Sequence, residues 1–71
     1  MTGKQLRELR ERKGYTVPDV ALRTGLTAGA VRWAENQPTL IRIHARTALA
    51  YARVYDTTPE NIRAVTGEGT K

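Results

Sequence analysis

Along the 71 residues, apolar side chains recur at every third or fourth position, and Thr, Gly and Pro break the recurrence at short intervals. Leu6 and Leu9 share one stripe. Thr2 followed three residues later by Gln5 suits a capping box and Gly14 a left-handed stop, which predicts a first helix over about 3–13. Thr16, Pro18 and Asp19 open a second helix, in which Val20 and Ala21 face inward and which Gly25 ends after barely two turns. Thr27 opens a third helix over about 27–36, and Pro38 closes it because the residue before a proline is pushed out of the helical region. Ile41, Ala45, Ala48, Leu49, Ala52 and Tyr55 fall on one face of a longer fourth helix starting at Thr39 or Ile41. Thr58 and Pro59 begin a short fifth helix with Ile62 and Val65 inward and Gly67 at its end. No segment alternates as a strand does. The expected fold is all-α: one five-helix domain over residues 1–66 and a loose tail over 67–71.

Size limits the chemistry. A chain this short buries only about 60% of the surface its unfolded form exposes, which excludes large catalytic architectures. There is no Cys, and His44 is the single histidine. Disulfides, thiolate zinc sites and cysteine nucleophiles are therefore absent, and a lone His has no partner of metal-binding type. His44 is expected to be solvated or to sit at a helix terminus. With no paired carboxylates facing a common site, no catalytic constellation is visible, so a non-enzymatic protein without cofactor, metal or small-molecule substrate is expected. No apolar run approaches the ~20 residues of a membrane span.

Charge adds direction. The net charge is +5, most of the cations are Arg, and the excess is uneven. Residues 1–19 carry +2, residues 20–55 carry +4 and residues 56–71 carry −1. A polyanion is the natural partner for the middle of the chain.

Two short helices joined by a tight Gly-containing turn, in basic surroundings, describe a helix-turn-helix whose second helix enters a DNA major groove. The chain from Leu6 to Ile62 then resembles the Cro and phage-repressor helix-turn-helix family, lambda-repressor-like and also called XRE-type. The residues that carry the resemblance are Leu6, Leu9, Arg10, Arg12, Lys13 and Gly14 in the first helix; Val20, Ala21, Gly25 and Leu26 through the turn; and Thr27, Val31, Glu35 and Asn36 in the third helix. Ala52, Thr58, Pro59, Glu60 and Ile62 form a closing signature. The resemblance implies sequence-specific binding to double-stranded DNA, a homodimer on a near-palindromic operator and a role in transcription. A small Cro-type bacteriophage regulator, in the cytoplasm of a bacterial or phage-infected cell, is the nearest kind.

Residue roles follow from the residues and the resemblance together. Thr27, at the start of the third helix, aims its hydroxyl at a phosphate or base edge, or only caps; Thr16 stands at the equivalent place on the second helix. Arg32 forks onto a guanine, holds a phosphate or is simply solvated. Asn36, Gln37, Thr39 and Arg42 are placed to hold phosphates. The resemblance implies a partly buried Arg10–Glu35 bridge that sets the angle of the third helix and leaves Arg10 near the DNA backbone. It also places the dimer contact at Tyr55, Thr57, Thr58, Ile62 and Val65, with Tyr51 and Val54 as the alternative and core packing open for the apolar ones.

Four positions depart from the family pattern. Ala28 and Gly29 stand where relatives place long polar base readers, so readout from the first turn is impoverished, and Gly29 weakens the helix by nearly 1 kcal/mol relative to Ala. Trp33 and Ala34 look exchanged: relatives have a polar residue at the first and a large apolar one at the second. Partial burial of Trp33 through a rotated helix is expected, the alternative being an exposed anchor. Val17 replaces a polar phosphate holder. The connection after Asn36 is about two residues longer than usual and adds Leu40, Ile41 and Ile43. A rival reading is a protein-binding adaptor or antitoxin that uses exposed Trp33 and Leu40–Ile43.

Overall fold

Four threonines and a histidine start the five helices of the computed structural model, which describes residues 1–64. They are α1 (Gly3–Arg12), α2 (Val17–Thr24), α3 (Ala28–Glu35), α4 (Ala45–Tyr55) and α5 (Pro59–Arg63). Among the described residues there is no strand. Thr2 accepts from the Gln5 amide at 3.0 Å while the Gln5 side chain accepts from the Thr2 amide at 2.9 Å. Thr16 and Asp19 repeat the reciprocal pair, and Thr27 and Thr58 accept from the amides of Ala30 and Asn61. Each bond satisfies a first-turn N–H that the helix itself leaves open. Gly14 and Gly25 end α1 and α2 at φ of 76° and 78°, the left-handed region where a side chain is strained.

One core joins all five helices: Leu6, Val20, Val31, Ala34, Leu40, Ile43, Ala48, Tyr51, Ala52, Tyr55 and Ile62 are buried. The stacked Tyr51 and Tyr55 rings, one turn apart with centroids 6.2 Å from each other, supply most of its bulk on α4. The buried face of α4 is thus rotated from the one expected: Tyr51 is inside, while Ala45, Leu49 and Ile41 are exposed.

Helix α4 also starts later than its apolar residues suggest. Leu40 donates its amide to Met1 O at 2.8 Å, Ile43 donates to Leu40 O, and Thr39 Oγ1 accepts from the Ile41 amide. These bonds commit residues 39–43 to an anchored loop, and His44 becomes the cap, its Nδ1 accepting from the Arg46 amide. The buried Leu40 and Ile43 side chains pin that loop to the core.

The start of α1 crosses the end of α3 closely. Gly3 donates its amide to Gln37 O at 3.0 Å, and a Cβ on Gly3 would lie 2.6 Å from the carbonyl oxygens of Ala34, Glu35 and Gln37. This approach leaves no room for a side chain at position 3. Ala34 is buried without any rotation of α3, and Leu40 and Ile43 from the longer connection supply apolar volume that Ala34 does not. Helix α5 starts as expected, with Thr58 as cap and Pro59 first, but ends at Arg63; Val65 and Gly67 lie outside the described residues.

Candidate nucleic-acid interface

Helix α3 buries Val31 and Ala34 and turns the opposite stripe outward. Gly29, Arg32, Trp33 and Asn36, spaced as one helical face, are all exposed. Trp33 is 59% exposed, which corrects the expectation of partial burial: the side chain at 34 already occupies the inward position. Ala28 is half-buried, so the first turn offers neither a long side chain nor a polar one. Its amides at 28 and 29 have no partner within the helix, since Thr27 takes those of Ala30 and Val31. Thr27 is therefore a cap first, and its hydroxyl hydrogen is the part left for another group.

The angle of α3 is held from behind. Arg10 of α1 grips Glu35 with two bonds, Nε to Oε2 at 2.7 Å and Nη2 to Oε1 at 3.1 Å, and its Nη1 donates to Tyr15 O at 3.1 Å. Both side chains are nearly buried, at 13% and 8% exposure. The bond to Glu35 is the main cause that raises the Arg10 pKa further, against the desolvation that would lower it. With each of its three nitrogens donating one bond, Arg10 positions α3 and the loop before α2. Arg23 lies over the Tyr15 ring at 4.4 Å and fastens the same loop from α2.

A shallow hollow beside α3 is lined by Arg7, Arg10, Val17, Arg32, Glu35 and Asn36. Its only carboxylate is already spent on Arg10, so Arg7 and Arg32 leave it electropositive. Arg7 went unnoticed in the sequence, although its spacing of three from Arg10 puts both on one face of α1; it is paired only with Glu11, at 3.0 Å and exposed. Val17 contributes an apolar wall where a polar donor was missing. On the other flank, Arg42 borders two hollows that both reach Trp33, one of them shared with Gln37 and Thr39. Asn36 and Gln37 fold their amides back onto the carbonyls of Arg32 and Trp33 at 3.0 Å each, closing the end of α3. Thr39 and Arg42 are exposed, and Thr16 is exposed at the cap of α2.

The residues expected at a dimer contact are differently placed. Tyr55 and Ile62 are buried in the monomer's own core, at 5% and 0% exposure, and so present no surface to a second copy. Thr57 accepts from the Asn61 side chain at 2.8 Å and Thr58 caps α5. Leu40 and Ile43 are likewise buried, which leaves Ile41 and Arg42 as the exposed part of that segment.

A helix-turn-helix is thus formed by α2, the turn at Gly25 and Leu26, and α3, with α1 clamping it and α4 and α5 behind. The chain belongs to the helix-turn-helix domain family, whose match covers residues 3–65. No curated protein shows significant similarity to it. Among solved structures, the SinR protein/SinI protein complex contains a chain similar over 100% of this one and 68% of its own length, at TM-score 0.80 and 17% identity. The solution structure of the N-terminal DNA-binding domain of the master biofilm-regulator SinR from Bacillus subtilis is similar over the full length of both, at TM-score 0.73 and 18% identity. At these identities the likeness is one of fold. No helix among the described residues is long and apolar enough to cross a membrane.

Proposed function

We propose that this domain is a sequence-specific DNA-binding regulator of transcription that lays α3 in the major groove. One observation carries the reading: the uncovered stripe Gly29, Arg32, Trp33 and Asn36 is flanked on one side by Arg7 and on the other by Arg42. A polyanion with a groove between two charged rails fits that order of apolar and cationic groups. The SinR domain, described as DNA-binding, shares the fold and so supports the reading. Residues 1–66 act as the domain, in the cytoplasm of a bacterial or phage-infected cell, and no enzymatic step is assigned to it.

Two copies on a near-palindromic operator double the contacts of one small module. With Tyr55 and Ile62 unavailable, the pairing face is the hollow between Ile41 and Ala45 and the start of α5, where Pro59, Glu60 and Arg63 line its edge.

Selection from random duplex DNA followed by gel shift tests the whole reading. An enriched motif, bound with affinity that falls steeply between ~50 and ~200 mM salt, is the expected result. A second reading, a protein-binding adaptor or antitoxin, is favoured by exposed Trp33 and Ile41 and by the SinR protein being solved with SinI protein. Failure to enrich any motif, with Arg32→Ala without effect, selects it.

A further inference from the structure

The outward face of α3 carries one long cation and one large apolar side chain, adjacent in sequence and both exposed: Arg32 and Trp33. Nothing else on that face reaches far, because Gly29 has no side chain and the Asn36 amide is turned back onto Arg32 O. A groove floor offers an apolar group of matching kind at one place only, the 5-methyl of thymine. Arg42 borders both hollows beside Trp33, whose walls are otherwise largely apolar, with Leu26, Ala30 and Ile43 in one and Pro38 and Ile43 in the other. With Arg42 on that flank and Arg32 next to it in sequence, the exposed indole stands between two cations, and a cation on each side suits an apolar spot set between phosphates.

We infer that Trp33 is a specificity-determining residue that packs its indole on a thymine methyl in the major groove, next to a guanine held by Arg32. This rests on the DNA-binding reading above. Two consequences distinguish it from simple phosphate contact. The preference survives only where the methyl is present, so cytosine carrying a 5-methyl group substitutes for thymine at that step better than plain cytosine does. Trp33 also contributes to discrimination without contributing to the salt dependence, since it neutralises no phosphate.

The test uses the duplex obtained by selection, with each thymine replaced in turn by deoxyuridine, which lacks only the methyl. For the parent protein one position should lose about three- to fourfold in affinity, the size of one buried methyl. In Trp33→Ala and Trp33→Gln that same replacement should have no effect, while the salt slope stays at the parental value. Trp33 is exposed, so both variants should keep the parental helicity and melting temperature, which circular dichroism checks. An enriched duplex with no uracil-sensitive thymine, or equal sensitivity in the Trp33 variants, overturns the role of Trp33 alone. Absence of any enriched duplex overturns the DNA-binding reading and this role with it.

Discussion

Glu35 of α3 meets Arg10 of α1 side by side, with both carboxylate oxygens bonded by the guanidinium at 2.7 and 3.1 Å. The attraction is offset in large part by the desolvation of two charges, so the pair as a whole contributes little net stability, whereas losing one partner leaves the other buried and alone. Arg10→Ala should therefore cost about 3–5 kcal/mol, a large share of what a 71-residue domain has. Arg10→Lys should recover little, because an ammonium cannot fork onto both oxygens. Arg10→Met combined with Glu35→Leu should recover most of it. Urea denaturation checks all three; an Arg10→Ala variant with the parental midpoint removes the clamp from the account.

Two glycine-to-alanine changes should act in opposite directions. At Gly3 a methyl would meet three backbone oxygens at 2.6 Å, and backbone cannot step aside as a side chain can. The overpacking cost of about 1–3 kcal/mol exceeds the ~1 kcal/mol gained in helix propensity, so the melting temperature should fall. At Gly29 the nearest atom is Thr27 Oγ1 at 3.9 Å, an ordinary contact, so the propensity gain stands alone and α3 should become more stable by up to ~1 kcal/mol. Thermal melts of the two variants, read by circular dichroism, decide the signs.

Stability should be level to about pH 9 and decline above pH 10. Burial pushes Tyr51 up, and pushes Tyr55 up to about 12, with the negative charge of Glu35 adding to the effect at Tyr55. Above pH 10 the phenols of an unfolded chain release protons that the folded protein retains, so rising pH favours the unfolded state until the folded-state values are passed. Neither hydroxyl has a hydrogen-bond partner among the described residues. Tyr51→Phe with Tyr55→Phe should therefore keep or raise the stability at pH 8 and flatten the alkaline decline. Urea midpoints at pH 8, 10 and 11 measure it, and an unchanged decline in the double variant counts against the phenols.

Arg7 and Arg42 flank the reading helix, and each is expected to neutralise one phosphate. Arg7→Ala and Arg42→Ala should each weaken binding evenly across sequences and reduce the slope of log affinity against log salt by about 0.9. A change in the preferred motif instead would mean that the side chain reads bases.

The helix starts were legible in the sequence because a cap is a local device: a Thr and the residue three places on are enough to define it, and at Thr2, Thr16, Thr27 and Thr58 the bonds form. What escaped depends on distant segments. Apolar residues at 40, 41 and 43 fit a helix or an anchored loop equally well, and the choice is made by Met1 O, nearly forty positions away. The need for glycine at position 3 comes from the carbonyls of Ala34, Glu35 and Gln37, far along the chain. Tyr55 and Ile62 carry the same periodicity whether they face a core or a second copy. The Arg10–Glu35 pairing was reached through family resemblance, whereas Arg7 needed the hollow itself to bring it next to Arg32.

Among the described residues the outward stripe of α3 packs against no other element; Val31, Ala34 and Glu35 hold the helix from the rear. On the proposed reading, addressing by residues 29, 32 and 33 and architecture by residues 31, 34 and 35 thus reside in different letters of the same eight-residue word. If α3 reads DNA as proposed, descendants of this chain can acquire a new target by exchanging residues 29, 32 and 33 while inheriting the scaffold unaltered.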